Sequence, residues 1–153
     1  MENINKKKIS LDEIYPIIKE KIEDGGTVRI PITGTSMNPL LYWGRDYVDL
    51  IKCEKPQKYD IIFYRRDDGA FVLHRIVGKN DKGFILCGDN QWKKEFGITE
   101  KHIIAVVKTI TRKDKTFDVD KLSYQIYSKI WVGILPFRKY ILLVTRKLKG
   151  MFR

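Results

Sequence analysis

The sequence predicts a mainly β fold: an antiparallel, barrel-like β domain with an amphipathic helix before it and a basic helical tail after it. β-branched and aromatic residues recur in short runs with a period of two between residues 27 and 120. No helical stretch interrupts these runs, which is typical of antiparallel barrels rather than of sheets with parallel crossovers. On either side of this region the apolar spacing lengthens to that of a helix.

The N-terminal segment, residues 1–26, is predicted to contain one short amphipathic helix. Ser10 followed by Glu13 has the pattern of a capping box at a helix start. The pair Gly25-Gly26 ends the pattern. Between these signals four isoleucines are spaced to share one apolar face, namely Ile14, Ile17, Ile18 and Ile22. We expect this helix to pack on the β domain.

Residues 27–120 are predicted to form the β domain. Six runs have the composition and alternation of strands, at residues 27–33, 47–52, 60–66, 70–78, 83–87 and 103–111. Turn-forming residues separate these runs. Asp67-Asp68-Gly69 lies between two of them and therefore predicts a β-hairpin.

The tail, residues 121–153, is predicted to be helical and basic. Pro136 divides it into two helical segments, and the second covers residues 140–148. Aromatic and aliphatic residues alternate with Lys and Arg along the tail, as in helices that lie in the plane of a membrane surface. Two other roles fit the same pattern: packing against the β domain or a second subunit, and binding of a protein partner.

The positive charge of the chain is concentrated in this tail. The 153 residues include 30 Lys and Arg against 19 Asp and Glu, a formal net charge of +11. Eight of the basic residues and none of the acidic ones follow Asp120. A nucleic-acid-binding domain carries its basic patch within the fold, and one helix before the β domain is too few for a helix-turn-helix. We expect an anionic membrane surface, and no nucleic acid, as the partner of the tail.

Neither a leader peptide nor a membrane span is predicted. Charged residues interrupt the stretch 14–22, and no run of about 18 apolar residues occurs. Cys53 and Cys87 form neither a CxxC pair nor a metal-ligand cluster. We therefore expect a reducing, cytoplasmic location, with the tail bound peripherally to the inner face of the membrane, and no metal site.

Three segments carry side chains that are capable of acyl-transfer chemistry. Ser36 follows a predicted strand and a turn, so its hydroxyl can be exposed beside backbone N–H groups. His74 lies within a predicted strand and can accept a proton near neutral pH. Asp89 and Glu95 follow another strand and can orient a histidine. The second histidine, His102, lies in a polar approach to the last strand.

Together, the three segments resemble the type I signal peptidase superfamily, which also contains the self-cleaving LexA-like repressors. The resemblance lies in the order, the approximate spacing and the residue types of three motifs. They are Ser36-Met37-Asn38-Pro39-Leu40, Tyr59-Asp60-Ile61-Ile62 with Val72-Leu73-His74-Arg75-Ile76-Val77, and Gly88-Asp89-Asn90. It covers about residues 27–111 and implies the β domain of that superfamily.

The resemblance implies that Ser36 is the nucleophile and that His74, directly before Arg75, is the general base. Bacterial signal peptidases and the repressors have lysine at this position, whereas the endoplasmic-reticulum and archaeal type has histidine. In the histidine type an acidic residue completes the site. Glu95 occupies approximately its place, and Asp89 is the alternative.

The first motif also implies where the oxyanion and the substrate bind. The Ser36 N–H is expected to donate a hydrogen bond to the oxyanion. Its neighbours in the loop are expected to line the oxyanion and substrate site, namely Gly34, Thr35, Met37 and Pro39. Many bacterial signal peptidases have a serine hydroxyl at the position of Gly34, a role that Thr35 or Thr33 could take here.

We therefore expect a serine endopeptidase that cuts a precursor, leader or signal-like peptide through an acyl-enzyme, without a cofactor. Signal peptidases of this type reach their substrates with an N-terminal transmembrane segment, which residues 1–35 do not predict. The alternative is a non-catalytic peptide-binding or regulatory module on the same fold. Such a module would bind peptide without covalent chemistry at Ser36.

Overall fold

Within the described residues, the fold consists of an eight-stranded antiparallel sheet and three α-helices. The computed structural model describes residues 9–152, so residues 1–8 of the predicted N-terminal segment and Arg153 of the tail lie outside the described residues. The helices are α1 (Leu11–Glu23), α2 (Leu122–Gly133) and α3 (Leu135–Met151), with a short 3-10 helix at Glu100–His102. The strands are β1 (Val28–Pro31), β2 (Tyr47–Ile51), β3 (Ile61–Arg65), β4 (Phe71–Asn80), β5 (Gly83–Cys87), β6 (Glu95–Ile98), β7 (Ile103–Arg112) and β8 (Lys115–Asp118).

Helix α1 confirms the predicted N-terminal helix and its cap. The Glu13 N–H donates to Ser10 Oγ at 3.3 Å, which satisfies one of the free donors at the helix start. Ile18 and Ile22 are buried, whereas Ile17 is 66% exposed. The prediction was wrong for Ile17 because each residue turns the helix by about 100°, which carries this side chain off the buried face.

All six predicted strands are present, and two strands were missed. The β3–β4 hairpin turns at Asp67-Asp68-Gly69, where Gly69 has a φ of 89° that favours glycine. The missed strands are β6 and β8, which have four residues each and carry charged side chains. Each has only one β-branched and one aromatic residue, which is too few for the alternation from which a strand is predicted.

The sheet is antiparallel but open. Its hydrogen-bonded path is β1-β2-β7-β3-β4-β5-β6, with β8 paired to β7 beside this path. The two ends of the path, β1 and β6, are not paired with each other in residues 9–152, so the predicted barrel-like closure is not formed. Both edge strands are short, and β1 ends at Pro31, which has no N–H to donate to a further strand.

The tail packs against the sheet through one face of each helix. Tyr124 of α2 belongs to the main buried cluster, together with Ile22 of α1 and Leu50 of β2. Val132 and Leu135 form a smaller cluster with residues of β4 and β5. Packing against the β domain, one of the three roles considered for the tail, is therefore present. Within residues 9–152, none of the helices combines the length and the apolar character that crossing a bilayer requires.

The opposite face of α3 is apolar and exposed to solvent. Its side chains recur at helical spacing and are between 38% and 69% exposed, namely Phe137, Tyr140, Ile141, Val144, Leu148 and Met151. We call these six residues the apolar face of α3. Such a contiguous exposed surface is typical of an interaction site.

Candidate functional site

The three motifs that were separate in the sequence meet at one place in the fold. The loop after β5 is hydrogen-bonded to the loop that contains Ser36. The Asn90 N–H donates to the Ser36 carbonyl at 2.8 Å, and Asn90 Nδ2 donates to the Thr35 carbonyl at 3.0 Å. These two bonds fix the position of Ser36 relative to the end of β5.

Gly88 lies between Ser36 and His74. A Cβ atom at Gly88 would come within 2.6 Å of the Ser36 carbonyl oxygen and 3.1 Å of His74 Nε2. Only glycine therefore fits this position, and Nε2 faces the loop that carries the serine. Residues 9–152 contain no hydrogen bond between Ser36 Oγ and His74, a contact that is often loose until substrate binds.

Strand alternation decides which side chains surround His74. His74 of β4 lies opposite Ile62 of β3, so Tyr64, two residues further along β3, is a diagonal neighbour on the same face. Glu95 begins β6 opposite Leu86 of β5 and reaches this face as well. Arg75, the next residue after His74, points to the other side of the sheet.

A tyrosine connects His74 to Glu95. His74 Nδ1 lies 3.3 Å from Tyr64 Oη and 3.9 Å from Glu95 Oε2. The Tyr64 O–H donates to Glu95 Oε2 at 2.6 Å. Arg66 donates to both oxygens of Glu95, at 2.7 and 2.9 Å. Because the single hydroxyl hydrogen of Tyr64 is used on Glu95, its oxygen is free to accept a hydrogen bond from His74 Nδ1–H.

Burial determines the protonation states of this group. His74 is only 4% exposed, and burial lowers its pKa to about 4, although the charge of Glu95 acts in the opposite direction. Burial also raises the pKa of Tyr64, which therefore remains a donor. For Glu95, burial acts to raise the pKa, but hydrogen bonds from Arg66 and Tyr64 keep it below its usual value. At neutral pH the group is a neutral imidazole, a neutral phenol and a carboxylate.

Within residues 9–152, Asp89, the other candidate carboxylate, forms its hydrogen bonds with Arg75 and Tyr127 and not with His74. It is fully buried and accepts two hydrogen bonds from Arg75, at 2.9 and 2.8 Å. Tyr127 of α2 donates to it at 2.8 Å. Asp89 has no hydrogen bond to His74 in the described residues and is bound to Arg75 and Tyr127, whereas Glu95 is the carboxylate that lies 3.9 Å from His74 Nδ1.

Side chains from the tail hold the loop after β5 in place. Trp131 Nε1 donates to the Asp89 carbonyl at 2.9 Å. The buried Arg138 guanidinium donates to the carbonyls of Gly88 and Gln91, at 3.3 and 3.1 Å, and to that of Trp131. The tail therefore supports the loop that positions Ser36.

The loop residues differ in how accessible they are. Gly34, Thr35 and Pro39 are exposed and Ser36 is half-buried. The Met37 side chain is 2% exposed and belongs to the main core, so only its backbone is available to a substrate. The Ser36 N–H has no hydrogen-bond acceptor in residues 9–152, which leaves it available to an oxyanion.

His102 lies outside this group. It ends the 3-10 helix, where its Nδ1 accepts a hydrogen bond from the Thr99 N–H at 3.0 Å, and its Nε2 lies 3.0 Å from Asp67 Oδ1. Tyr64 and Arg66 were not among the predicted site residues. The signal that could have found them is strand alternation, because Tyr64 and Arg66 lie two and four residues after Ile62, the residue opposite His74.

Comparison of the chain with models of protein families, with curated proteins and with solved structures found no match. The resemblance to signal peptidases thus depends on the three motifs and stays a prediction. In the described part of the chain, no group of three or more His, Cys, Asp or Glu side chains is placed to hold a metal ion.

Proposed function

We propose that this protein is a serine endopeptidase of the signal-peptidase type, in which Ser36 is the nucleophile and His74 is the general base. One observation carries the proposal: His74 Nε2 faces the Ser36 loop across Gly88, while Nδ1 faces Tyr64 and Glu95. Acyl transfer needs a histidine base that has one ring nitrogen toward the nucleophile and the other toward a group that orients the ring.

The hydrogen bonds suggest how the proton moves. Tyr64 accepts from Nδ1–H, so the lone pair of His74 is on Nε2, toward Ser36. Ser36 Oγ attacks the peptide carbonyl and Nε2 takes its proton. The imidazolium that forms is stabilised by the Glu95 carboxylate, 3.9 Å from Nδ1. His74 then protonates the leaving amine, and water, deprotonated in turn by His74, releases the acyl group from Ser36.

Cleavage of peptides tests this assignment. The full chain is incubated with a peptide library from a digested proteome, and mass spectrometry identifies the new termini. We expect wild-type protein to produce a set of termini that Ser36→Ala and His74→Ala each abolish. The matched controls are Ser123→Ala, at an exposed serine of α2, and His102→Ala, which should both retain cleavage. Equal cleavage by Ser36→Ala and wild-type protein would show that Ser36 is not the nucleophile.

A peptide-binding module without catalysis is the second candidate. The observation that favours it is the missing hydrogen bond between Ser36 Oγ and His74 in the described residues. Gly34 also lacks the hydroxyl that many bacterial signal peptidases have there. Peptide binding by wild-type protein, together with no cleavage and no covalent adduct on Ser36, would select this candidate.

We also propose that the protein is cytoplasmic and that the apolar face of α3 lies on the anionic inner leaflet of a membrane. This proposal is supported by the two different faces of α3, one buried and one exposed. Leu135, Arg138 and Leu142 bury one side against the body, while the opposite side stays apolar and exposed. Lys139 and Lys147 are exposed on the same helix, and each Lys near an anionic surface contributes about 1 kcal/mol to binding.

A further inference from the structure

A cleft of about 500 Å³ opens directly beside the candidate site. His74 and Glu95 are part of its wall. The loop between β5 and β6 supplies Trp92, Lys93 and Lys94, and α3 supplies Arg146. A peptide bound at Ser36 and His74 therefore has a second surface to occupy, formed by a loop and by the tail.

The wall of this cleft has more positive than negative charge. Arg66, Lys93, Lys94 and Arg146 all line it, against one carboxylate, that of Glu95. That carboxylate is already bound by Arg66. In residues 9–152, neither lysine nor Arg146 forms an ion pair with an acidic side chain. Three cations are thus left without a counter-ion in a chain whose first 120 residues are nearly balanced in charge.

The cleft is shaped before any ligand binds. Arg146 donates to the Asn90 carbonyl at 3.3 Å, and its guanidinium lies 5.3 Å from the centre of the Trp92 ring. This cation–π contact holds the Arg146 guanidinium beside Trp92 in the wall of the cleft. Asn90 is the same residue that bonds the Ser36 loop, so the cationic wall has a fixed position relative to the nucleophile.

We infer that this cleft binds an acidic segment of the peptide substrate, with Asp or Glu side chains beside Lys93, Lys94 and Arg146. The inference rests on the proposed function for the statement that the bound peptide is a substrate. The binding itself requires only the cleft. Three uncompensated cations along one cleft favour carboxylates, because their attractions for a ligand in the cleft add together, and added salt weakens this attraction.

A binding experiment on the full chain tests this inference without cleavage. The protein carries Ser36→Ala, and the probes are a rhodamine-labelled peptide of alternating Ala and Asp and its counterpart with Asn in place of Asp. Fluorescence polarisation should show that the Asp peptide binds about tenfold more tightly at low salt, and that this preference falls as salt is added. Equal affinity for the two peptides would overturn the inference.

Charge-removing variants locate the binding. Lys93→Gln with Lys94→Gln, both at exposed positions, should weaken binding of the Asp peptide about 5- to 10-fold and leave the Asn peptide unchanged. Lys115→Gln with Lys121→Gln is the matched control, because it removes the same charge from a different cleft, beside Phe117. The control should bind the Asp peptide as before. An equal loss in both double variants would mean that net charge, and not this cleft, attracts the peptide.

The cleavage and binding experiments separate the peptidase proposal from the inference about the acidic-peptide site. If the Asp peptide binds this cleft but wild-type protein cleaves no peptide, the serine peptidase proposal fails and the acidic-peptide site stands. If wild-type protein cleaves peptides at sites without Asp or Glu nearby, and the Asp peptide is not preferred in binding, the peptidase proposal stands and this inference is wrong.

Discussion

At the scale of single residues, the arrangement around His74 differs from a simple triad. The Tyr64 hydroxyl lies between the imidazole and Glu95, because His74 Nδ1 is closer to Tyr64 Oη, at 3.3 Å, than to the carboxylate, at 3.9 Å. In the proposed mechanism, Tyr64 therefore orients the base His74 by accepting a hydrogen bond from Nδ1–H while it donates one to Glu95. Arg66 keeps Glu95 ionised and in place.

Removal of the Tyr64 hydroxyl tests this role. In Tyr64→Phe, His74 Nδ1–H loses its acceptor, and we expect kcat to fall about 10- to 100-fold with little change in KM. Glu95 stays bound to Arg66, so the fold should be retained. The matched control is Tyr47→Phe, at an exposed tyrosine of β2. A Tyr64→Phe variant with the kcat of wild-type protein would contradict an orienting role.

Asp89 and Glu95 should respond differently to loss of charge. Asp89→Asn leaves the buried Arg75 guanidinium without its carboxylate, and we expect it to lower the free energy of unfolding by about 3–5 kcal/mol. Urea denaturation measures this. Asp12→Asn is the control, since its ion pair with Arg65 is exposed and should contribute at most about 1 kcal/mol. Asp89→Asn with the stability of wild-type protein would mean that the ion pair with Arg75 does not stabilise the fold.

At the scale of secondary-structure elements, the sequence predicted what depends on local pattern. Strands β1 to β5 and β7 and the β3–β4 hairpin were predicted from alternation and turn residues. Two tail helices were predicted as well, but α3 begins at Leu135 and not at residue 140, because Pro136 lies in its first turn, where a proline is tolerated. Strand β6 was missed because its four residues become a strand only by pairing with β5. The choice between Glu95 and Asp89 could not be made from spacing, because it depends on which face of the sheet each side chain reaches in three dimensions.

Helix α3 carries the exposed apolar face that we propose to lie on a membrane. We expect the protein to sediment with vesicles that contain phosphatidylserine and not with vesicles of phosphatidylcholine alone, and to be released by added salt. Val144→Asp, in the middle of the apolar face of α3, should weaken this binding about tenfold or more, because it places a carboxylate in the apolar contact.

The control for this experiment is Ile17→Asp, which changes an isoleucine of α1 that is 66% exposed, against 58% for Val144. This variant should bind vesicles like wild-type protein. Equal binding by Val144→Asp and wild-type protein would contradict a membrane role for the apolar face of α3. Self-association that Val144→Asp abolishes, without any vesicle binding, would assign the face to a second copy of the chain.

At the scale of the whole molecule, the sheet, the loop after β5 and the tail together build the site. The sheet places His74, Tyr64 and Glu95 on one face, while the loop after β5 fixes Ser36. The tail completes the site, because Arg138 donates a hydrogen bond to a carbonyl of that loop and Arg146 lines the cleft beside it. Of the basic residues of the tail, Arg146 lines this cleft, whereas Lys139 and Lys147 are exposed along α3.

The central claim is that Ser36 is a nucleophile activated by His74, and covalent labelling tests it most directly. The full chain is treated with a fluorophosphonate, the adduct is located by peptide mass spectrometry, and its rate of formation is measured against pH. Burial lowers the pKa of His74 to about 4, so the base is neutral, and labelling is fast, above that pH. Circular dichroism, measured at each pH, serves as the control that the protein is still folded.

We predict an adduct on Ser36 whose rate falls as the pH is lowered through about 4, and no adduct at Ser36 in His74→Ala. Absence of an adduct on Ser36 in wild-type protein, or labelling of Ser36 at the same rate in His74→Ala, would contradict the account.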